Sequence, residues 1–471
     1  MSTLIWKDLR HHASEWLWSL LVATVGGTIV GVVITSWWSA VQWSLAHPDG
    51  PYMLASNILG SNMVGYIGIS TAIVISTTLG LTVTAQQRSY ALWKVLGIPG
   101  RRIRSVILWQ VCAVGLVGGL LGGLLALPTA RVYLLTWREF NLFPDDLPLS
   151  MPLFGIPATM LVTALFSVLG GLGAARRAAN VPEMQALREA TSPRSRTKLW
   201  QWIAAGFFLI PVVLMPILIN LPPEALHSDY TPEMPDVPAE AATTDFESPG
   251  DRAVMGGGIG LMVTLAALFI PNWTVRPLLI GWTSLIPGRS PAWFAARANA
   301  RHRSAFSLTT IVPFAIAVAM TGVFHTVANA GRAAGGMHGG VNGFLTIMVP
   351  IFFVAGAGGI ANIAMVGRTR RQEGALLGVI GARSGTILGS TILEGAIYAI
   401  TGILFGLAVT LLSATSAALM SGGGMEVFIG SIPVTTLLPA IGASLVLAIT
   451  TTWLPAQLDR RPMMESLRQP V

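Results

Sequence analysis

The sequence predicts an all-α polytopic membrane protein: ten transmembrane helices, built as two parallel four-helix repeats joined by two linking helices. Three observations predict it. Only 11% of the 471 residues are charged, against about 25% in a soluble domain. Ten stretches are long and apolar enough to cross a bilayer. The second part of the chain also repeats the first at a nearly fixed offset.

The ten stretches lie at roughly 16–38, 63–85, 105–127, 153–175, 200–220, 253–272, 304–328, 345–366, 386–412 and 433–453. About 20 apolar residues span the hydrocarbon core as a helix. A helix satisfies its backbone polar groups within the segment, and a barrel would need alternating strands that these runs lack. The first stretch is too long for the apolar core of a signal peptide and is expected to be retained. Cys112, the single cysteine, falls within the third stretch, so no intrachain disulfide framework is expected.

The net charge of +8 is explained by placement and calls for no nucleic acid. With the N-terminus inside and ten spans, 25 of the 29 Lys and Arg fall on one side. Only Arg131, Arg138, Arg252 and Arg332 fall on the other. This positive-inside bias predicts cytoplasmic termini, and miscounting by one span would destroy the sorting. The outside loop 221–252, which reads "PPEALHSDYTPEMPDVPAEAATTDFESPGD" after its first residue, is rich in Pro and acid, which predicts disorder. The stretch 271–303 begins "PNWTVRPLLIGWTSLIP" and reads as partly interfacial rather than as an eleventh span.

Adding 284 carries Ala91, Leu92, Val95, Leu96 and Gly97 onto Ala375, Leu376, Val379, Ile380 and Gly381. It also carries Gln110 onto Glu394, and Gly118 and Gly122 onto Gly402 and Gly406. A shift of 280 places "PEMQALRE" from Pro182 on "PMMESLRQ" from Pro462, and "DLRHH" before the first span resembles "NARHR" before the seventh. The chain therefore divides into a first repeat over 1–199, linking spans over 200–272, and a second repeat over 273–471. Equivalent spans are six apart, so the copies share one orientation. Inverted repeats of the kind found in secondary transporters are excluded.

Each copy carries a short amphipathic segment after its second span: 86–104, with "RSYALWKVLGIPGRRIR", and 367–385, with "QEGALLGVIGARSGTIL" continuing beyond it. On a helix, Ala91, Leu92, Val95 and Leu96 fall within about 140° of arc. Ala375, Leu376, Val379 and Ile380 draw the same stripe, and both segments end at a glycine. Such a segment fits an anionic lipid surface. It also fits a docking helix, and two parallel copies facing one compartment suit a two-fold symmetric partner.

The second copy, "RRQEGALLGVIGA", with a basic stretch and then a span bearing "LEGA" and a run of glycines, resembles the FtsX-like permeases, the membrane subunits of MacB-type ABC transporters. The first copy, "QRSYALWKVLG", has Ser89 where the family has an acidic residue. "ARRAANVPEMQALRE" after the fourth span is similar to the family's closing motif. The resemblance implies that Arg88, Ala91, Leu92, Lys94, Val95, Leu96, Arg101 and Arg102, with Glu373, Ala375, Leu376, Val379 and Ile380, couple the chain to a cytosolic ABC ATPase. Two ATPase copies per chain are expected, with ATP and Mg bound there and no cofactor on this chain. The implied location is the bacterial cytoplasmic membrane. The implied role is export or extraction of an amphipathic or lipophilic substrate: an antimicrobial peptide, a lipid or a drug. An alternative is a regulatory membrane protein controlling a cell-envelope process, as FtsX itself does. Related ten-span permeases carry a large extracellular domain, but loops 39–62 and 329–344 are too short for one, so no periplasmic adaptor is expected.

No catalytic constellation is evident. A Walker A loop needs Gly-Lys-Ser/Thr to reach the phosphates, and none of Lys7, Lys94 and Lys198 follows a glycine. No Cys/His cluster suggests a metal. Three intramembrane polar residues stand out: Gln110, Asn362 and Glu394, the only carboxylate within a span. An ionisable group there is a functional candidate by default. Its position near the inner end, with Gln110 as its counterpart, favours a structural role such as pairing with Arg368 or Arg370. Gly115, Gly119 and Gly123, with Gly118 and Gly122 beside them, form small-residue faces for close helix packing.

Overall fold

The computed structural model describes residues 13–47, 68–137, 148–180, 199–219, 248–288, 290–302, 304–335, 352–365, 378 and 381–458. All regular structure among them is helical. The first repeat contains α1 (Ala13–Ala46), α2 (Gly68–Ala85), α3 (Gln87–Val95), α4 (Gly100–Trp137) and α5 (Gly155–Asn180). The linking helices are α6 (Leu199–Ile219) and α7 (Pro249–Phe269). Then come α8 (Pro271–Leu285), α9 (Pro291–His302), α10 (Ser304–Ala333) and α11 (Phe352–Met365). The chain closes with α12 (Ser384–Ser421), α13 (Gly424–Ser431) and α14 (Val434–Leu458).

Each of the ten apolar stretches coincides with a helix. Seven helices, α1, α4, α5, α6, α7, α10 and α12, are long and apolar enough to cross a membrane, and α13 with α14, bent by 40°, makes an eighth. The apolar helices α2 and α11 are shorter and occupy the second and eighth predicted positions. The acidic loop predicted to be disordered lies largely outside the described residues.

The segment 271–303 forms two short helices. At 15 residues, α8 reaches about 22 Å, too short to cross. Its C-terminal carbonyls are capped by α9: Arg301 donates to Ile280 O at 2.9 Å, and Arg297 to Ile286 O at 3.3 Å. Cations at a helix C-terminus complement its dipole. Trp282 Nε1 donates to Thr401 Oγ1 at 2.9 Å, pinning α8 to α12. At the adjoining ends of α6, α7 and α8, Trp202 packs on Trp273 and Trp200 on Phe269. Aromatic clusters of this kind mark a bilayer interface.

The core follows the repeat. In the first unit α1 and α5 pack along α4, and in the second α10 and α14 pack along α12. The backbones approach closely because glycines lie between them. A methyl group on Gly118 would meet Ala23 at 2.6 Å, and one on Gly402 would meet Phe314 at 2.9 Å. Gly122 lies on Thr28, and Gly406 on Ala319. Gly31 lies on Ala126, and Gly322 on Thr410. All three pairs of contacts interconvert by adding 291 to the α1 residue and 284 to the α4 residue. The repeat is thus a repeat of contacts. Gly115, Gly119 and Gly123 form a second face on α4 and lie against Ala164, Met160 and Ile156 of α5.

The two units meet along α2 and α11. Gly358 lies on Val74, its own repeat counterpart 284 positions earlier. Eight residues further along α2, Thr82 Oγ1 donates to Met365 Sδ at 3.2 Å. A residue touching its own counterpart marks a pseudo-two-fold axis, which runs between α2 and α11. In its apolar window α10 is 94% buried and α6 only 6%. The linking helix α6 therefore sits at the rim, packed along α7.

Candidate coupling site

At the end of α2 the chain turns at Gln86 and continues as α3. The joint is braced internally: Tyr90, fully buried, donates from its hydroxyl to Gln86 Oε1 at 2.7 Å. Trp93 packs edge-on against the Tyr90 ring. The far end of α3 is closed by Gly97 in the left-handed region, at φ +86°. Ile98 N–H donates to Trp93 O at 3.0 Å, and Gly97 N–H to Lys94 O at 2.8 Å. This pair of bonds is a Schellman turn. Pro99 then starts α4, and Arg102 N–H donates to Pro99 O at 2.8 Å.

The described part of the second copy repeats this turn. Gly381 has φ +97°, and its N–H donates to Gly378 O at 3.0 Å. Thr386 N–H donates to Arg383 O at 2.9 Å. Each position is 284 beyond its counterpart in the first copy. Glu373, Ala375, Leu376, Val379 and Ile380 lie outside the described residues.

The helix α3 divides the predicted stripe. Leu92, Val95 and Leu96 are 48%, 56% and 79% exposed, while Ala91 is 5% exposed. Ala91 therefore belongs with Tyr90 to the side that rests on the bundle, and is not part of the surface offered outward. The physical reason is that a nine-residue helix lying across the ends of α4 and α5 must bury one edge of any 140° arc. Lys94 extends its stem toward Gly100. Arg88 lies in α3, but its side chain is outside the described residues. Arg101 and Arg102 are exposed in the first turn of α4. Cations at a helix N-terminus oppose the dipole, so helix stability does not account for them. The result is three apolar side chains beside an exposed arginine pair, on a helix joined directly to α2.

Elsewhere, Gln110 is fully buried on α4. Asn362 is fully buried on α11 and donates from Nδ2 to Thr309 O at 2.8 Å. Pro313, four residues on, lacks the N–H that would ordinarily reach that carbonyl. Glu394 is 4% exposed, and Tyr398 donates to its Oε1 at 2.5 Å. The Tyr398 hydroxyl also lies 3.2 Å from Ser307 Oγ, which donates to Ala300 O at 2.7 Å. Arg368 and Arg370 lie outside the described residues. Glu394 is thus bonded to Tyr398 within α12, and the Tyr398 hydroxyl in turn touches the start of α10. We expect Glu394→Gln, which keeps an oxygen for Tyr398, to change the protein's activity by less than about threefold, under 1 kcal/mol. A tenfold fall, or a lost pH response in proteoliposomes, would make Glu394 a proton-handling group.

Residues 61–182 and 345–460 match the FtsX-like permease C-terminal family. The chain belongs to this family. The matched stretches begin 284 residues apart, the offset already seen in the helix caps and glycine contacts. No curated protein matches the chain. FtsX-like permeases are non-enzymatic membrane components of ABC-type systems and generally work with a cytosolic ATPase. As an FtsX-like permease, the chain carries the family's match twice, over α2 to α5 and over α11 to α14.

Proposed function

We propose that this chain is a fused permease of an ABC exporter or extractor, with α3 and its counterpart around 367–385 as coupling helices seated in two ATPase copies. The observation that carries this is the Schellman-capped helix of the first copy, which exposes Leu92, Val95 and Leu96 beside Arg101 and Arg102, with a left-handed glycine, Gly381, at the equivalent place in the second. A complementary partner is apolar where it receives the leucines and acidic at its rim. The positive-inside bias supports a cytosolic position for this face. ATP-driven closure of the ATPase pair draws the two segments together, and α2 and α11 carry the movement to the interface between the units.

The substrate is amphipathic or lipophilic: a peptide antibiotic, a lipid or a drug. The family supports a transport role, and the connection from Ala46 to Gly68 and that from Ala333 to Phe352 are too short for a substrate-grasping domain. One chain already supplies both coupling segments, so mass measurement of the purified complex should give one permease chain per two ATPase copies. Two permease chains per ATPase pair would overturn the fused arrangement.

A further inference from the structure

The interface between the two units contains a polar pair that neither packing nor coupling explains. Val74 and Thr82 on α2 both touch α11, and Thr78 lies between them on the same face. Gly358 and Met365 on α11 both touch α2, and Asn362 lies between them. Thr78 and Asn362 are 284 apart, so they are repeat counterparts at one level of the pseudo-two-fold axis. Both are fully buried. Thr78 Oγ1 and Asn362 Oδ1 each lack a hydrogen-bond partner among the described residues.

The Asn362 amide cannot turn over at no cost. Its Nδ2 donates to the Thr309 carbonyl, which cannot receive the usual N–H from Pro313, and this makes Oδ1 the outstanding acceptor. Thr78 supplies the complementary group, since a hydroxyl donates and accepts while an amide oxygen only accepts. Leaving both unpaired away from water is unfavourable, and more so in an apolar surrounding. Other buried threonines such as Thr401 and Thr410 relieve the same burden by donating to the carbonyl four residues earlier, and Thr78 does not.

We propose that Thr78 Oγ1 and Asn362 Oδ1 form a hydrogen bond across the interface when the two units draw together, and that this structure shows the open state. The interface is then a two-state element, closed by direct donation from Thr78 to Asn362. Its trigger rests on the coupling reading above, because α2 leads directly into α3. The proton stays on the threonine oxygen throughout, and no other group is needed.

The test uses the full permease–ATPase complex in proteoliposomes, with Cys112→Ser, Thr78→Cys and Asn362→Cys. A protease site in the 221–252 loop separates the two halves unless a disulfide joins them. We expect oxidation to join them at least fivefold faster in the vanadate-trapped ATP state than without nucleotide. Equal rates in the two states would overturn the proposal. Should the cysteine pair fail to accumulate in the membrane, Thr78→Val against Thr78→Ser decides. Valine should slow ATP turnover severalfold without releasing the ATPase, and serine should restore it. Unchanged turnover with valine would overturn the proposal. If the ATPase stays bound and coupled after both Leu92→Asp and Leu376→Asp, the coupling reading fails. If Leu92→Asp releases it and cross-linking ignores nucleotide, only the inter-unit bond is wrong.

Discussion

Leu92→Asp should release the ATPase from the membrane while leaving the permease inserted. Leu92 is 48% exposed on α3, so the helix itself tolerates the change. Against a partner, the new carboxylate would be buried in an apolar contact without a counter-ion, at a cost of several kcal/mol. About 3 kcal/mol would already weaken binding roughly a hundredfold. The measurement is the ratio of ATPase to permease in washed membranes. Leu96→Asp serves as a second probe, since Leu96 is the most exposed of the three. Tyr90 would be a poor probe, because its ring is buried and holds the joint with Gln86. In the second copy Leu376→Asp should act in the same direction but less completely. Gly385 and Thr386 stand there in place of Arg101 and Arg102, so that site lacks the basic rim. If Leu92→Asp and Leu376→Asp both leave the ATPase bound and its turnover intact, the two segments are lipid-facing surfaces.

The parts of this fold legible in the sequence were those written in composition or in period. Each of the ten apolar runs falls on a helix, because a long uncharged run satisfies its backbone that way, although α2 and α11 are shorter than the rest. The 284-residue offset found from Ala91, Gln110 and Gly118 reappears in the φ angles of Gly97 and Gly381 and in the contacts of Gly118 and Gly402. Other features depend on which neighbour a residue meets. The stripe from Ala91 to Leu96 looked uniform, since periodicity marks an apolar arc without saying how much of it the bundle covers. The brace from Tyr90 to Gln86 is an i, i+4 pair across a helix break, and nothing in the residue pattern placed the break at Gln86. Asn362 stood out as a polar residue in a span. That Thr78 is its repeat counterpart follows from the 284-residue offset, but its bond to Thr309 required knowing that α11 packs beside Pro313.

Gly122→Ala should cost the permease more stability than alanine at any glycine facing open space. A methyl group there would fall less than 3 Å from Thr28 N and Gly27 C, with Gly27 Cα at 2.8 Å. These are backbone atoms of α1, so no side-chain rotation relieves the clash, and α1 and α4 must separate. Overpacking of this kind costs about 3 kcal/mol. Separation also forfeits van der Waals contact along a helix pair that holds together by close packing in lipid. The counterpart Gly406 should be less sensitive. There the added methyl meets Val318 Cγ1 at 2.6 Å and Ala319 N at 2.9 Å, and the valine side chain can partly give way. Gly206 on α6 has nothing within 4 Å, and alanine there should be neutral or stabilising by up to about 1 kcal/mol, since glycine is costly inside a helix. Thermal denaturation of the three purified variants in detergent should rank Gly206→Ala above Gly406→Ala above Gly122→Ala. Because α4 begins at the turn that closes α3, Gly122→Ala should also loosen the coupling segment's support and lower ATPase stimulation below the melting range. Equal melting of all three variants would mean that the glycines do not set the separation of α1 and α4, and that the shared contacts of the two repeats do not hold the units together.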